Sequence, residues 1–245
     1  MTQLNKKYVV YTVVTDGYDN VNPIKNPNKE VDYVLVSNEP IPDVEGWTTV
    51  IKNSRLKNTI FNRNFKINPD VLFPHYEQSI YIDGNIEIVG DIEEFILSIP
   101  PDTKMALFDH PLHKTAKQEF EAIVKMGYAN YNSAFEQYKD YETFYTVQDR
   151  FFECNIIYRK HNDPSVILAM RTWWSEFLSG IKRDQLSMHY SCSQYINIHA
   201  LGKHDARFNH RYFRYHKHKK RFNRSLSLKH RLVNKVFRLV RNFNE

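Results

Sequence analysis

The run Lys7-Tyr8-Val9-Val10-Tyr11-Thr12-Val13-Val14 sets the first constraint on this chain. Almost every position is β-branched or aromatic, and polar residues do not alternate with apolar ones. A strand with one wet face alternates; a strand without alternation is covered on both faces, as in a parallel sheet. The run ends in a polar turn, Thr15-Asp16-Gly17-Tyr18-Asp19-Asn20. Similar runs predict strands over 32–38, 47–51, 80–82, 104–108 and 154–159.

Helices are predicted between them from their punctuation. Asp91-Ile92-Glu93-Glu94 has the form of a capping box, and Pro100-Pro101 ends the helix that it opens. The segment 115–126 ends at Gly127, a natural residue just past a helix. Asp163, Pro164 and Gly180 supply a cap, a first-turn proline and a stop around 164–179. Alternating strands and helices imply an α/β domain with a mixed, mostly parallel central sheet flanked by helices. Neither a GxGxxG run nor a phosphate loop of the Walker type is present, and Gly is scarce, with 7 in 245 residues.

Charge divides the chain in two. From Lys203 onward lie 14 of the 34 basic residues but only 2 of the 28 acidic ones, leaving 20 basic against 26 acidic before it. Residues 1–202 therefore read as one mildly acidic domain, and 203–245 as a basic, aromatic- and His-rich extension. Within the extension Leu228, Leu232, Val236, Leu239, Val240 and Phe243 recur at helical spacing among Lys and Arg. That pattern suits a helix packed on the domain, or one lying on an anionic membrane surface. Cys154 and Cys192 have no metal-type spacing, which points to a reducing compartment. No apolar run of eighteen residues and no leader-like segment is seen, so the expectation is a cytoplasmic protein, peripheral at the inner face of the membrane through its tail.

The segment Ser79-Ile80-Tyr81-Ile82-Asp83-Gly84-Asn85-Ile86 carries two readings. Asp-Gly between alternating apolar residues is a strong hairpin signal. Equally, ligands in open α/β sheets bind beyond the carboxyl ends of strands, where an aspartate beside a glycine can hold a hard divalent cation. A tight turn there satisfies both.

Tyr81-Ile82-Asp83-Gly84-Asn85 resembles the Tyr-Leu-Asp-x-Asp motif of sugar-nucleotide transferases with the GT-A fold. Arg63-Asn64-Phe65-Lys66, Phe108-Asp109-His110-Pro111, Asn155-Ile156-Ile157-Tyr158-Arg159, Trp173-Trp174-Ser175-Glu176 and Arg183-Asp184-Gln185-Leu186-Ser187 accompany it in order. The series is similar to the glycosyltransferase-like domain shared by plant mucilage- and turgor-related proteins and bacterial polysaccharide-locus proteins, over residues 8 to about 195. The resemblance implies a GT-A-like fold and a glycosyltransferase. Its donor would be a nucleotide sugar, its acceptor a glycan or lipid-linked glycan, and its cofactor Mn²⁺ or Mg²⁺.

By the same resemblance Thr12, Val14, Asp16 and Gly17 hold the nucleotide, while Arg63 and Lys66 bind diphosphate oxygens. Asp83, Gly84 and Asn85 face the ribose and metal. Asn85 stands where a second carboxylate is usual, which weakens metal binding and keeps a catalytically inactive sugar-nucleotide or glycan-binding module as an alternative. Asp184 and Gln185 are the catalytic pair, with His110, Asn155 and Trp174 toward the acceptor sugar. The late histidines His199, His204, His210, His216 and His218 include a candidate further metal ligand, with His199 and His210 favoured. A nucleic-acid-binding protein using the basic tail is a third reading, opposed by the acidic body.

Overall fold

The computed structural model describes residues 7–145, 150–203 and 205–220. His204 and the amphipathic stripe from Leu228 to Phe243 lie outside the described residues. In chain order the elements are β1 (Tyr8–Val14), β2 (Val31–Ser37), β3 (Thr48–Ile51), α1 (Asn58–Ile67), β4 (Gln78–Ile82), β5 (Ile86–Ile88), α2 (Ile92–Leu97) and β6 (Met105–Asp109). They continue with α3 (Ala116–Lys125), α4 (Tyr131–Tyr145), β7 (Phe152–Arg159), α5 (Pro164–Ser179), α6 (Asp184–Ser193), β8 (Ile198–Ala200) and β9 (Phe213–Tyr215). Seven strands form one sheet in the order β3-β2-β1-β4-β7-β6-β8, parallel except for β7, which runs antiparallel to β4 and β6.

All seven residues of β1 are buried, as its unbroken apolar run requires. Its side chains part to opposite faces of the sheet. Val9, Tyr11 and Val13 enter a core with Phe61, Trp173 and Phe177 beneath α1, α5 and α6. Tyr8 and Val10 join Ile80, Ile92, Phe95 and Phe213 on the other face. A smaller cluster around Phe120, Tyr138, Tyr141 and Leu186 ties α3 and α4 to α6. The caps expected from sequence are in place: Asp91 accepts the N–H groups of Glu93 and Glu94, and Asp163 those of Ser165 and Val166.

The turn at Asp83 differs from a hairpin. Ile86 N donates to Asp83 O at 2.9 Å, closing a tight turn. Yet β4 pairs with β1 and β7, whereas β5 leaves the main sheet and pairs antiparallel with β9. The strand before Asp83 is fully committed to two neighbours, so the chain after it has no free edge to fold back on.

Segment 205–220, on the tail side of the boundary read at residue 202, is built into this domain. Phe213 is fully buried against Phe95, with ring centroids 5.0 Å apart, and Ala206 and Tyr212 share the same core. Asp205, wholly buried, accepts Asn155 Nδ2 at 2.8 Å. Its basic residues hid this apolar content, because the buried positions are few, Asp205-Ala206 and Tyr212-Phe213, and stand among exposed cations.

Candidate active site

The site forms where β1 and β4 end. After β1, Tyr18 N donates to Thr15 O at 3.1 Å across Asp16 and Gly17, whose φ angles are 55° and 50°. Two consecutive positive φ values are tolerated by Asp and Gly and by few other pairs. After β4, Asp83 N donates to Asn155 O at 2.8 Å, which fixes the aspartate at the sheet rim. Gly84 lets the two rims meet: a Cβ there would lie 2.8 Å from Val14 Cγ2 and 3.1 Å from Asp19 Cβ.

Two cavities flank Asp83. One of about 410 Å³ is lined by Val14, Asp16, Asp19, Asn62, Tyr128 and Lys182, among others. The second, about 370 Å³, is lined by Lys66, His110, Glu153, Asp184, Gln185 and Arg207, among others. Arg63, Asp83, Arg183 and His218 belong to both and form the partition between them.

A charge network spans that partition. Lys66 Nζ lies 2.9 Å from Asp184 Oδ2 and 3.4 Å from Asp83 Oδ1, and Arg63 Nε lies 3.0 Å from the same Asp184 oxygen. Tyr81 donates its hydroxyl to Asp83 Oδ1 at 2.8 Å, and Lys66 Nζ sits 4.9 Å from the centre of the Tyr81 ring. Burial alone would raise the Asp184 carboxyl, but Arg63, Lys66 and Arg183 outweigh it and hold Asp184 well below the usual carboxylate range. Asp184 is thus an ionised anchor for Arg63 and Lys66, while Arg183 pairs with Glu119 at 3.2 Å.

Lys66 is positioned from behind. It lies in the last turn of α1, whose final carbonyls would otherwise be orphaned in the core. Arg159, wholly buried on β7, donates to Lys66 O at 2.9 Å and Ile67 O at 3.3 Å, and Tyr11 adds a hydroxyl to Lys66 O at 3.0 Å. Asp184 is fixed in turn by Trp173, whose Nε1 donates to Asp184 O at 2.9 Å.

The other residues named from sequence divide into those at the site and those away from it. Asp16, Val14, Gly84, His110 and Gln185 line a cavity. Thr12 is fully buried within β1, and Gly17 only shapes the turn. The Asn155 side chain holds Asp205, so its link to Asp83 runs through its backbone carbonyl. Asn85 is buried, and its Nδ2 donates to His216 O at 2.6 Å. Trp174 stacks on Phe177 beside the first core, away from both cavities. His199 sits on edge strand β8, and His210 stacks on Phe213 with ring centroids 5.6 Å apart. Burial lowers the His210 pKa, as suits a neutral packed ring.

The histidine that the fold delivers to Asp83 is His218. Its Nδ1 pairs with Asp19 Oδ1 at 2.8 Å, and that hydrogen bond raises its pKa despite burial. Glu153, Arg207, Asp19 and Tyr128 are further site residues that sequence patterns do not single out. Arg207 and His218 sit in the basic segment, where their charge reads as part of a polyanion surface. His110, His113 and Glu119 bring three ligand-type groups together at the mouth of the second cavity. Their atoms are already engaged: His110 Nδ1 accepts His113 N at 2.7 Å, and His113 Nδ1 meets Glu119 Oε2 at 2.7 Å. The two imidazoles stack almost parallel at 4.4 Å, so their lone pairs do not converge on one point.

No protein-family model matches this chain, and no curated protein matches it. Solved structures do. The bifunctional glycosyltransferase WbbM, in its apo form, superposes with a TM-score of 0.53 at 15% identity, over 82% of this chain and 40% of WbbM. Apo mouse xyloside xylosyltransferase 1 gives 0.48 at 9% identity over 79% of this chain and 84% of that one. GlyE of Streptococcus pneumoniae gives 0.45 at 10% identity over 80% and 45%. The chain spans well under half the length of WbbM. Its fold is the GT-A-like glycosyltransferase fold: a mostly parallel seven-stranded sheet flanked by helices.

Proposed function

We propose that this protein is a glycosyltransferase that moves a sugar from a nucleotide-sugar donor to a glycan or lipid-linked glycan acceptor, in surface polysaccharide biosynthesis. One observation carries the reading: Asp83, at the carboxyl end of a central strand, stands in a partition of charged groups between two cavities of substrate size. Ligands of open α/β sheets bind at such strand ends. The ordered motifs from Arg63 to Ser187 support the narrower kinship with mucilage-related and polysaccharide-locus proteins.

The larger cavity takes the nucleotide, against Val14, Asp16 and the Gly84 turn. Arg63, Lys66 and Arg183 then face the diphosphate as fixed donors, which oppose the charge that develops on the leaving group. Asp184 keeps Arg63 and Lys66 in place and Glu119 holds Arg183, and Gln185 beside Asp184 lines the second cavity, where the donor sugar meets the acceptor. His110 and Glu153 lie on the acceptor side of that space.

The donor set around Asp83 fits a divalent cation shared with substrate. Asp83 Oδ1 takes Tyr81 and Lys66, which leaves Oδ2. His218 Nε2 has no protein partner among the described residues, and Asp19 on Nδ1 orients the ring as carboxylates orient ligating histidines. Asn85, turned toward His216, adds no second carboxylate. Asp83 and His218 would hold Mn²⁺ or Mg²⁺, which supplies Lewis-acid stabilisation of the diphosphate. The basic end of the chain would keep the enzyme at anionic lipid, near a lipid-linked acceptor.

The turned-away Asn85 amide favours one second reading, a sugar-nucleotide-binding module without catalysis. A thermal-shift screen of nucleotide sugars with Mn²⁺, followed by assay of nucleoside diphosphate release, separates the two. Stabilisation with release, both lost in Asp83→Ala, supports the transferase; stabilisation without release supports the module; neither effect counts against both.

A further inference from the structure

We propose that Glu153 is the catalytic residue that takes the proton from the acceptor hydroxyl, an assignment that rests on the transferase reading above. Glu153 stands on β7 opposite Phe108, beside the register shift of the β6–β7 ladder between Leu107 and Phe108. It is 8% exposed, and it lines the second cavity instead of being packed in a core cluster. Its Oε2 is 3.3 Å from Arg207 Nη1 and 3.5 Å from His110 Nε2. Its Oε1 has no protein partner among the described residues. A carboxylate buried this deeply normally spends both oxygens on protein donors. Here one is left for a ligand.

The neighbours support proton transfer. His110 Nδ1 accepts the backbone N–H groups of His113 and Leu112, at 2.7 and 3.2 Å, so the ring proton sits on Nε2 and faces Glu153. Burial, with His113, Arg207 and Arg183 adding to it, lowers the His110 pKa to about 3, so this ring stays neutral and does not compete as a base. Burial pushes Glu153 up to about 7; Arg207 and Arg183 oppose that rise, while Asp83 and Asp205 add to it. A general base works best when its pKa lies near the working pH. Two other buried carboxylates line this cavity: Glu119 spends both oxygens on His113 and Arg183, and Asp184 is pinned by Arg63 and Lys66 far below that range and has no affinity for a proton at neutral pH.

In the transfer step the acceptor oxygen forms a bond to the anomeric carbon of a nucleoside-diphosphate sugar. The bond from that carbon to the diphosphate oxygen breaks, and its electron pair leaves with the nucleoside diphosphate. The acceptor proton passes to the Glu153 carboxylate and then to solvent.

The test compares wild type with Glu153→Gln and Glu153→Asp. Nucleoside diphosphate release is followed from UDP-, GDP- and dTDP-sugars between pH 5 and 9, with water or added oligosaccharides as acceptor, alongside calorimetric binding of UDP with Mn²⁺. The wild-type rate should rise along one limb centred near pH 7. Glu153→Gln should lower the rate by about 100-fold or more and leave UDP binding unchanged, and Glu153→Asp should keep a limb with a displaced midpoint. A Gln variant within roughly three-fold of wild type, or an unmoved limb in the Asp variant, overturns the assignment while the transferase reading stands. Should the Gln variant fail to fold, the Asp variant decides by that same limb. Wild type that binds no nucleotide removes the transferase reading itself. Wild type that binds UDP yet turns over no donor removes catalysis, and the role of Glu153 with it.

Discussion

Lys66 Nζ lies 2.9 Å from Asp184 Oδ2, and the two side chains are 3% and 4% exposed. A charge pair so deeply buried adds little net stability when whole, because each ion has lost its water. Its value is positional: one ammonium fixes Asp184 and reaches Asp83, joining the floor of one cavity to the strand end that serves both. Removing a single partner strands a buried charge. Lys66→Met is expected to lower unfolding free energy by about 3–5 kcal/mol. The double variant Lys66→Met, Asp184→Leu should lose clearly less than the sum of the single changes. Urea unfolding of the four proteins checks this, and strict additivity would show that the pair is not coupled.

Gly84→Ala tests the close approach of the two strand ends. The added methyl meets Val14 Cγ2 and the Asp19 side chain, and Asp19 carries His218. Overpacking of this kind costs about 1–3 kcal/mol. Nucleotide binding should weaken with it, because the partition must shift. Unchanged stability and binding would mean that Asp19 and His218 move aside freely.

The pH dependence of stability should carry the mark of Glu153. Its folded pKa, about 7, lies above the ordinary value of 4.5. A carboxyl raised in this way contributes stability that is full below about pH 4.5 and is lost as the pH rises through 7, where its charge must be buried. Glu153→Gln is neutral throughout. Its stability relative to wild type should therefore improve between pH 5 and pH 8, by up to about 3 kcal/mol. Denaturant titrations at the two pH values give that difference directly, and an identical offset at both would contradict a buried, raised carboxyl.

Truncation separates two parts of the basic segment. A cut after Gly202 removes Phe213, which packs against Phe95, and the β9 strand that pairs with β5. Losing one buried Phe costs about 3–5 kcal/mol, so that protein is expected to be insoluble or melted. A cut after Lys220 spares these contacts and keeps His218 on Asp19. It should fold normally and lose binding to anionic vesicles. Folding by both products, or retained vesicle binding by the longer one, would contradict this division.

Sequence patterns revealed the elements that advertise themselves. The unbroken apolar run of β1 announced a covered parallel strand, and Asp163-Pro164 with Gly180 bracketed α5. Helix α1 has no capping side chain at Lys57, so no local cue marks its start, although Asn68-Pro69 follows directly on its last residue. Helix α4 begins with a real cap, Asn130 Oδ1 accepting Ser133 N at 2.9 Å, but its aromatic and polar residues lack a clean apolar stripe. Strands β8 and β9 have three residues each and exist through their partners, which no short window can show.

At the site, Arg63, Lys66, Asp83 and Asp184 stand in ordered motifs of the sequence, and the fold joins all four in one charge network. Arg207 was not legible in the sequence, and His218 was only one of five late histidines with others favoured over it, since a segment with many cations gives no sign of which ones turn inward. Glu153 was hidden for another reason. It stands next to Cys154 within a run of eight buried residues, where only the three-dimensional cavity distinguishes a functional acid from an ion-paired one.

Asp83 as the closing residue of a nucleotide-sugar site between two cavities is tested by calorimetric titration of UDP and GDP, with and without Mn²⁺, into wild type and Asp83→Ala. Asp83 is 30% exposed on its side chain, so the substitution should leave the fold intact. Wild type should bind at least one nucleotide saturably, and Mn²⁺ should strengthen that binding. The variant should bind about ten-fold or more weakly, a loss of at least ~1.4 kcal/mol. Equal affinity in the two proteins, or no nucleotide bound by wild type, would contradict this role for Asp83.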